Sequence, residues 1–149
     1  MKNVRVALVT GGAKGIGASI VETLAANSFA VVVNYASSSD AANELVEQIK
    51  SKGGQAIAVK ADVSKNTQAQ SLFEAALQEF GKVDVLVNNA GVMALSPLAD
   101  TSDEDFNKQF DVNMKGVFNM LRLASTQLHE GGSIINLSTS VVGLKLERY

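Results

Sequence analysis

The sequence predicts an α/β protein in which a parallel sheet is wound on both faces by helices, as a single domain spanning 1–149. Three observations carry this expectation. Short β-rich runs alternate along the chain with longer amphipathic stretches. The runs are near-continuously apolar, as in strands buried on both faces, and do not alternate. A glycine-rich turn joins the first run to the first helical stretch. Right-handed crossovers then arrange a β-α-β-α-β-α-β order into one parallel sheet.

The expected strands are 4–9, 29–35, 55–60, 83–88 and 133–138. Between them, helical patterns cover 16–27, 41–52, 67–80 and a longer region, 103–129. Each helix has a start signal: Asp40 before the second, Ser64 before the third, and Thr101 with Glu104 at capping-box spacing before the fourth. Gly53-Gly54 and Gly81 supply stops. There is no tandem repeat, low-complexity tract or linker.

Composition narrows the function classes. Of 149 residues 46% are apolar and 19% charged, with 13 Lys and Arg against 15 Asp and Glu. A net charge of −2 gives no broad cationic field, so nucleic acid is not the expected partner. The absence of Cys removes disulfides and thiolate sites, and a single histidine, His129, excludes a multi-histidine metal cage. The N-terminal apolar run is too short for a signal-peptide core or a membrane span. The expectation is a cytoplasmic protein with no membrane partner.

Sheets of this kind bind ligands beyond the carboxyl ends of their strands, where strand order reverses. After the first strand stands Thr10-Gly11-Gly12-Ala13-Lys14-Gly15-Ile16-Gly17. Small residues there let the backbone turn sharply and approach a pyrophosphate, and Gly17 permits close packing of helix on sheet. The helix N-terminus adds unpaired N–H groups and a positive dipole end. The spacing is G-x-x-x-G-x-G, distinct from G-x-G-x-x-G, and it lacks the Gly-Lys-Ser/Thr ending of a P-loop. Taken alone, such a turn is also compatible with a plain tight connection.

After the second strand comes Asn34-Tyr35-Ala36-Ser37-Ser38-Ser39, with no acidic residue until Asp40. NAD would call for a carboxylate there to receive the ribose 2′-hydroxyl. The neutral donors Asn34, Tyr35 and Ser37, with the charge of Lys14, suit a 2′-phosphate, so NADP is favoured over NAD. Ser39 reads as a helix cap, and for Ser37 capping and binding both stay open.

Together with Asp62-Val63, Asn88-Asn89-Ala90-Gly91, Asn113 in Asp-Val-Asn-Met-Lys-Gly, and Ile134-Ile-Asn-Leu-Ser-Thr-Ser140, the glycine loop stands in the order and spacing of the short-chain dehydrogenases/reductases, which the chain resembles from Val4 to its last residue. The nearest likeness is to 3-oxoacyl-acyl-carrier-protein reductases and related carbonyl reductases. The resemblance implies a Rossmann-like sheet of order 3-2-1-4-5 that continues in the family with two further strands. It implies that Asp62 accepts from the adenine amine and Val63 contacts the ring. Asn89, Ala90 and Gly91 would support the cofactor ribose, while Asn88 has the simpler reading of an amide tying adjacent strands. Asn113 would hold a water in a proton relay, and Ser140 would hydrogen-bond the substrate carbonyl, with Ser138 as runner-up.

In the family a tyrosine beyond that serine donates the proton and a lysine, in Tyr-x-x-x-Lys, lowers its pKa from the free phenol's value of about 10. Tyr149 lies nine residues after Ser140, short of the family spacing, and no lysine follows it. It reads as the aromatic upstream of the active tyrosine, which implies that 1–149 is part of a longer chain whose fifth strand is left as an apolar edge. The apolar residues Phe110, Met114, Val117, Phe118, Met120, Leu121 and Leu123 read as a packing face. In the family this helix and its predecessor form a dimer interface, which implies a homo-oligomer, a dimer or tetramer. His129 reads as a cation suited to a helix end. The function implied is NADP-dependent reduction of a carbonyl to an alcohol. The alternative is a non-catalytic dinucleotide-binding or redox-sensing module on the same fold. A flavodoxin-like or phosphoacceptor domain fits the rhythm of the strands but lacks an acidic cluster after the first.

Overall fold

The computed structural model describes residues 4–139. Five strands, β1 (Val6–Val9), β2 (Ala30–Tyr35), β3 (Gln55–Lys60), β4 (Val85–Asn88) and β5 (Ser133–Asn136), form one sheet in the order β3-β2-β1-β4-β5. Every pairing is parallel. The helices are α1 (Gly15–Ala26), α2 (Ser39–Ser51), α3 (Asn66–Phe80), α4 (Asp103–Phe110) and α5 (Gly116–Gln127). The expected fold class and strand order are those observed.

Continuous apolar strands serve two cores because successive side chains point to opposite faces. Ala7, Val9, Val31 and Val33 pack with Val21 of α1 and Leu45, Val46 and Ile49 of α2. Leu8, Val32 and Leu86 pack on the other face with Leu72 and Phe73 of α3 and Met120 and Ala124 of α5. Burial on both faces holds for β1, β2 and β4 and fails for the other two. β3 is only partly buried, and every residue of β5 is exposed. Both are outer strands, each paired on one side only. The expected open edge at β5 is present among the described residues, with Ile135 at 50% exposure.

Three start signals are displaced. α2 begins at Ser39 behind Ser38, so Asp40 sits in its first turn, and Ser39 does not cap the helix. Its hydroxyl instead meets those of Tyr35 and the amide of Asn43, both at 3.4 Å. α3 follows Lys65, and Ser64 hydrogen-bonds Asp62. The cap of α4 is one residue later than expected: Ser102 Oγ accepts from the Asp105 amide at 3.1 Å and donates to its carboxylate at 2.8 Å. Thr101 instead bonds Ser96 and the Pro97 carbonyl. Gly53-Gly54 and Gly81 end α2 and α3 as expected.

The long helical region, 103–129, is interrupted. Residues Asp111–Lys115 form a π-turn between α4 and α5. The expected single apolar face divides there: Met120 is fully buried in the core, while Phe110, Met114 and Phe118 are exposed, with Phe106 stacked on Phe110 at 6.1 Å. Among the described residues no helix is long and apolar enough to cross a membrane.

At the amino ends of the strands, buried Asp84 accepts from the Val6 amide at 2.7 Å and pairs with Lys82 at 3.1 Å. His129 follows α5, its Nδ1 3.6 Å from the same carboxylate. This cluster anchors β1 to β4 at the end of the sheet remote from the glycine loop. Phe73, wholly buried between α3 and the sheet, is the largest fully buried side chain among the described residues. Phe73→Ala is expected to lower unfolding stability by about 3–5 kcal/mol, measured by urea denaturation of the full-length protein.

Candidate functional site

Strand order reverses at β1, which lies between β2 and β4. Beyond the carboxyl ends of β1, β2, β3 and β4 opens a crevice of about 470 Å³. Every segment singled out after those four strands contributes to it: Gly11 and Lys14, Tyr35 and Ser37, Asp62 and Val63, Ala90 and Gly91.

The floor is fixed by Thr10, whose buried hydroxyl accepts from the amides of Asn89 and Ala90, both at 3.0 Å, and donates to the Val87 carbonyl at 3.3 Å. Asn89 answers with its own amide, which donates to the carbonyls of Thr10 at 2.9 Å and Gly11 at 3.0 Å. The glycine turn is thus tied to the end of β4 by five side-chain hydrogen bonds, none of them to a charged group.

Two glycines are required for different reasons. A Cβ on Gly17 would lie 2.3 Å from the Gly11 carbonyl oxygen and 2.6 Å from Asn89 Nδ2, so α1 reaches this close only without a side chain. Gly15 has open space around it but a φ of +54°, a left-handed conformation that L side chains disfavour. α1 has no side-chain cap and no acidic residue in its first turn, so its N-terminal N–H groups remain available to an anion.

Asn34 lines the crevice, but its amide is engaged elsewhere. Its oxygen accepts from the Gly11 amide at 3.1 Å, and its nitrogen donates to the Ala61 carbonyl at 2.9 Å and the Val59 carbonyl at 3.3 Å. It is 2% exposed and ties β2 to β3 and to the glycine turn. Tyr35 is half-buried and Ser37 exposed at the rim. Ile16 is exposed on the first turn of α1 and, with Ser19, Ile20 and Thr23, lines a separate apolar surface.

Asp62 Oδ1 accepts from the Ser64 amide at 2.9 Å and hydroxyl at 2.7 Å, while its backbone amide donates to Gln68 Oε1 at 2.8 Å. Val63 is buried against Gly116, and its carbonyl accepts from Asn119 Nδ2 at 2.9 Å. Asn88 ties neighbouring strands, donating to Asn136 Oδ1 at 2.8 Å. Asn113 lies in the π-turn, where its amide accepts from the Val92 N–H and donates to the Val92 carbonyl, both at 2.8 Å. That pair of bonds fixes the segment following Gly91 against the long helical region. Ser140 and Tyr149 lie outside the described residues.

A model of the short chain dehydrogenase family matches residues 5–147. The chain belongs to that family. An uncharacterized oxidoreductase of Methylorubrum extorquens is 53% identical over 137 residues, 92% of this chain and 55% of that protein. The 3-oxoacyl-[acyl-carrier-protein] reductase of Staphylococcus epidermidis is 42% identical over 139 residues, 92% of this chain and 57% of that protein. A short chain dehydrogenase of Burkholderia cenocepacia solved in complex with NADP superposes with a TM-score of 0.91 at 33% identity, over 98% of this chain and 59% of that one. A short chain dehydrogenase/reductase of Burkholderia phymatum solved in complex with NAD gives a TM-score of 0.85 at 33% identity, over 89% of this chain and 48% of that one. The chain therefore spans about half the length of the relatives it matches.

Within this short chain dehydrogenase, sequence reasoning quoted Thr10 without giving it a role and missed Gln68, Lys108, Val112 and Asn119. The first is an ordinary strand-end threonine until the turn it supports is seen. Lys108 and Val112 share a helical face at i, i+4, a signal that needs the register of α4 against the crevice before it means anything. Gly17→Ala is expected to destabilise the full-length protein by at least about 2 kcal/mol through overpacking and to abolish ligand binding in the crevice. Gly15→Ala, strained but not clashing, should lose only about 1–2 kcal/mol. Thermal unfolding of the two variants, with and without dinucleotide, checks the contrast.

Proposed function

We propose that the crevice binds NADP(H) and that the full-length protein reduces the carbonyl of a small molecule, a 3-oxoacyl group or a small ketone, to an alcohol. The observation that carries this reading is the bare glycine turn at the uncapped N-terminus of α1, opening into a crevice lined by the ends of four parallel strands. A dinucleotide is long enough to use that whole line of strand ends, and its diphosphate suits the N–H groups of the turn. The fit is supported by the cradle itself, since a Cβ at Gly11 would meet Ala90 Cα at 2.9 Å and one at Gly17 would displace the turn.

In this reading the amides of residues 11–17 hold the diphosphate, Asp62 and Val63 receive the adenine, and Ala90 and Gly91 border the ribose of the nicotinamide half. When bound, the cofactor supplies hydride to the substrate carbonyl. The chain's own work is orientation. Asn113 keeps the segment after Gly91 in register through Val92, and Ser140 is the residue we assign to hydrogen-bonding the carbonyl oxygen. The tyrosine that would deliver the proton is assigned to a segment beyond Tyr149.

Preference for NADP over NAD rests on the residues after β2. Tyr35, Ala36, Ser37 and Ser38 line the crevice there without a carboxylate, and Lys14 lines it from the glycine turn. A 2′-phosphate would meet hydroxyls and a cation, whereas the ribose diol of NAD would lack its acidic acceptor. Solved relatives hold either cofactor. We also take the exposed stripe of Phe106, Phe110, Met114 and Phe118 as the face that meets a second copy, in a cytoplasmic homo-oligomer, dimer or tetramer.

Titration calorimetry should give NADPH roughly tenfold tighter binding than NADH, with Ser37→Asp reversing the order; equal affinity for the two would refute the NADP assignment. Oxidation of NADPH should follow addition of an acetoacetyl thioester or an aryl ketone to the full-length protein, and tight binding with no turnover would instead favour the non-catalytic module. Phe110→Glu with Phe118→Glu should shift the species seen by light scattering to a smaller mass, with the NADPH affinity kept.

A further inference from the structure

One wall of the crevice comes from neither the glycine turn nor the segments that follow the strands. Lys108 on α4 and Val112 in the π-turn, four residues apart, line it from the helical side. Lys108 also borders the adjoining hollow, formed by Asp62, Ser64 and Lys65 on one side and by Glu104, Asp111 and Val112 on the helical side. Asp62 and Val112 border both hollows as well, so these three residues share the ridge between them, at the end of the crevice served by β3.

The helix offers Lys108 ordinary partners that it does not take. Glu104 precedes it by four residues, the favourable order for an intrahelical ion pair, and Asp111 follows by three. Among the described residues neither pairs with Lys108, and Asp111 is engaged by Lys115 at 3.5 Å. The backbone beneath the lysine is held firmly. Ser102 caps α4, Gln109 accepts from the Ala94 amide at 3.1 Å, and Asn113 grips both backbone groups of Val92. A flexible cation on a fixed base, bordering the crevice and in no ion pair with its helical neighbours, is a group placed for a ligand.

We propose that Lys108 is a positioning residue for the purine of the dinucleotide, with its methylene stem and Val112 closing the adenine slot above Asp62 and Val63 and its ammonium lying against the ring. This rests on the dinucleotide reading given above. The purine offers an electron-rich face and ring-nitrogen lone pairs, both of which attract an ammonium at short range. The 2′-phosphate is the less fitting partner. That group belongs with Ser37 and Ser38 after β2, whereas the second hollow that Lys108 borders carries the carboxylates of Asp62, Glu104 and Asp111, which would repel a phosphate.

The test is calorimetric titration of the full-length protein and its variants with NADPH, NADH and reduced nicotinamide mononucleotide, which lacks the adenosine half. Lys108→Ala is expected to weaken NADPH and NADH by the same factor, roughly three- to tenfold, and to leave the mononucleotide unchanged. Lys108→Arg, which keeps a cation on a long stem, should restore most of the loss, and Lys108→Met should not. Lys14→Ala serves as the contrast, weakening NADPH alone. Unchanged dinucleotide affinity in Lys108→Ala overturns the proposal. A loss confined to NADPH overturns it too, by making Lys108 a phosphate contact. Failure of the unmodified protein to bind either dinucleotide refutes the cofactor reading itself, an outcome separate from any result with the lysine variants.

Discussion

A single backbone approach, α1 meeting the glycine turn at Gly17, sets the geometry on which the site depends. The position a Cβ would take there is within 2.3 Å of the Gly11 oxygen, so helix and turn are in direct main-chain contact. That same oxygen accepts from Asn89 Nδ2, which brings the end of β4 to the junction. The glycine turn, the first turn of α1 and, from far along the chain, the end of β4 thus meet around one carbonyl. Their closeness leaves the first turn of α1 pointing its N–H groups over the strand ends, with no side chain in the way. A larger residue at 17 would push the helix outward and separate the anion-binding end of α1 from the crevice that makes it useful.

The helical side of the crevice is held by a different device. The segment after Gly91 leaves the sheet, so the N–H and C=O of Val92 need partners that no strand provides. The carboxamide of Asn113 presents an N–H and a C=O side by side, and it supplies both to Val92. Asn is a poor helix former because its side chain competes for backbone groups. Here that competition is with a neighbouring segment, in a π-turn, where an extra residue widens the helix and changes the phase between α4 and α5. As a result Val112 faces the crevice while Met120 and Ala124 face the core.

Most of the fold was legible because parallel strands buried on both faces leave an unmistakable apolar pattern, as in 31–33 and 85–87. Strand rhythm and glycine placement located the crevice, since both are local properties of the chain. What could not be read was long-range pairing. Asn34 has the look of a ligand donor after a strand, yet its amide completes hydrogen bonds with Gly11, Val59 and Ala61, up to 27 residues away. The long region 103–129 shows one apolar period, but which of its residues pack inward depends on the π-turn, and nothing in composition announces an i→i+5 bond. Helix starts moved by a residue or two: α2 and α3 carry no side-chain cap, and at α4 Ser102 prevails over Thr101, where Asp105 can answer it.

The two ends of the sheet divide the labour of charge. At the amino ends, the buried carboxylate of Asp84 is matched by Lys82 and lies 3.6 Å from His129 Nδ1, and its bond to the Val6 amide locks β1 to the start of β4. At the carboxyl ends, the ties among Thr10, Asn34, Asn89 and Asn113 are all between neutral groups. Neutral hydrogen bonds fix the walls without setting up a field that would repel an anion or neutralise the cations meant for it. The positive contributions at that end are the N-terminus of α1, Lys14 and Lys108, and the carboxylate that lines the crevice with them is Asp62, tied to Ser64. In the proposed reading, the frame of neutral hydrogen bonds leaves the diphosphate to the helix end and the lysines, while the one carboxylate of the lining, Asp62, stands at the adenine end.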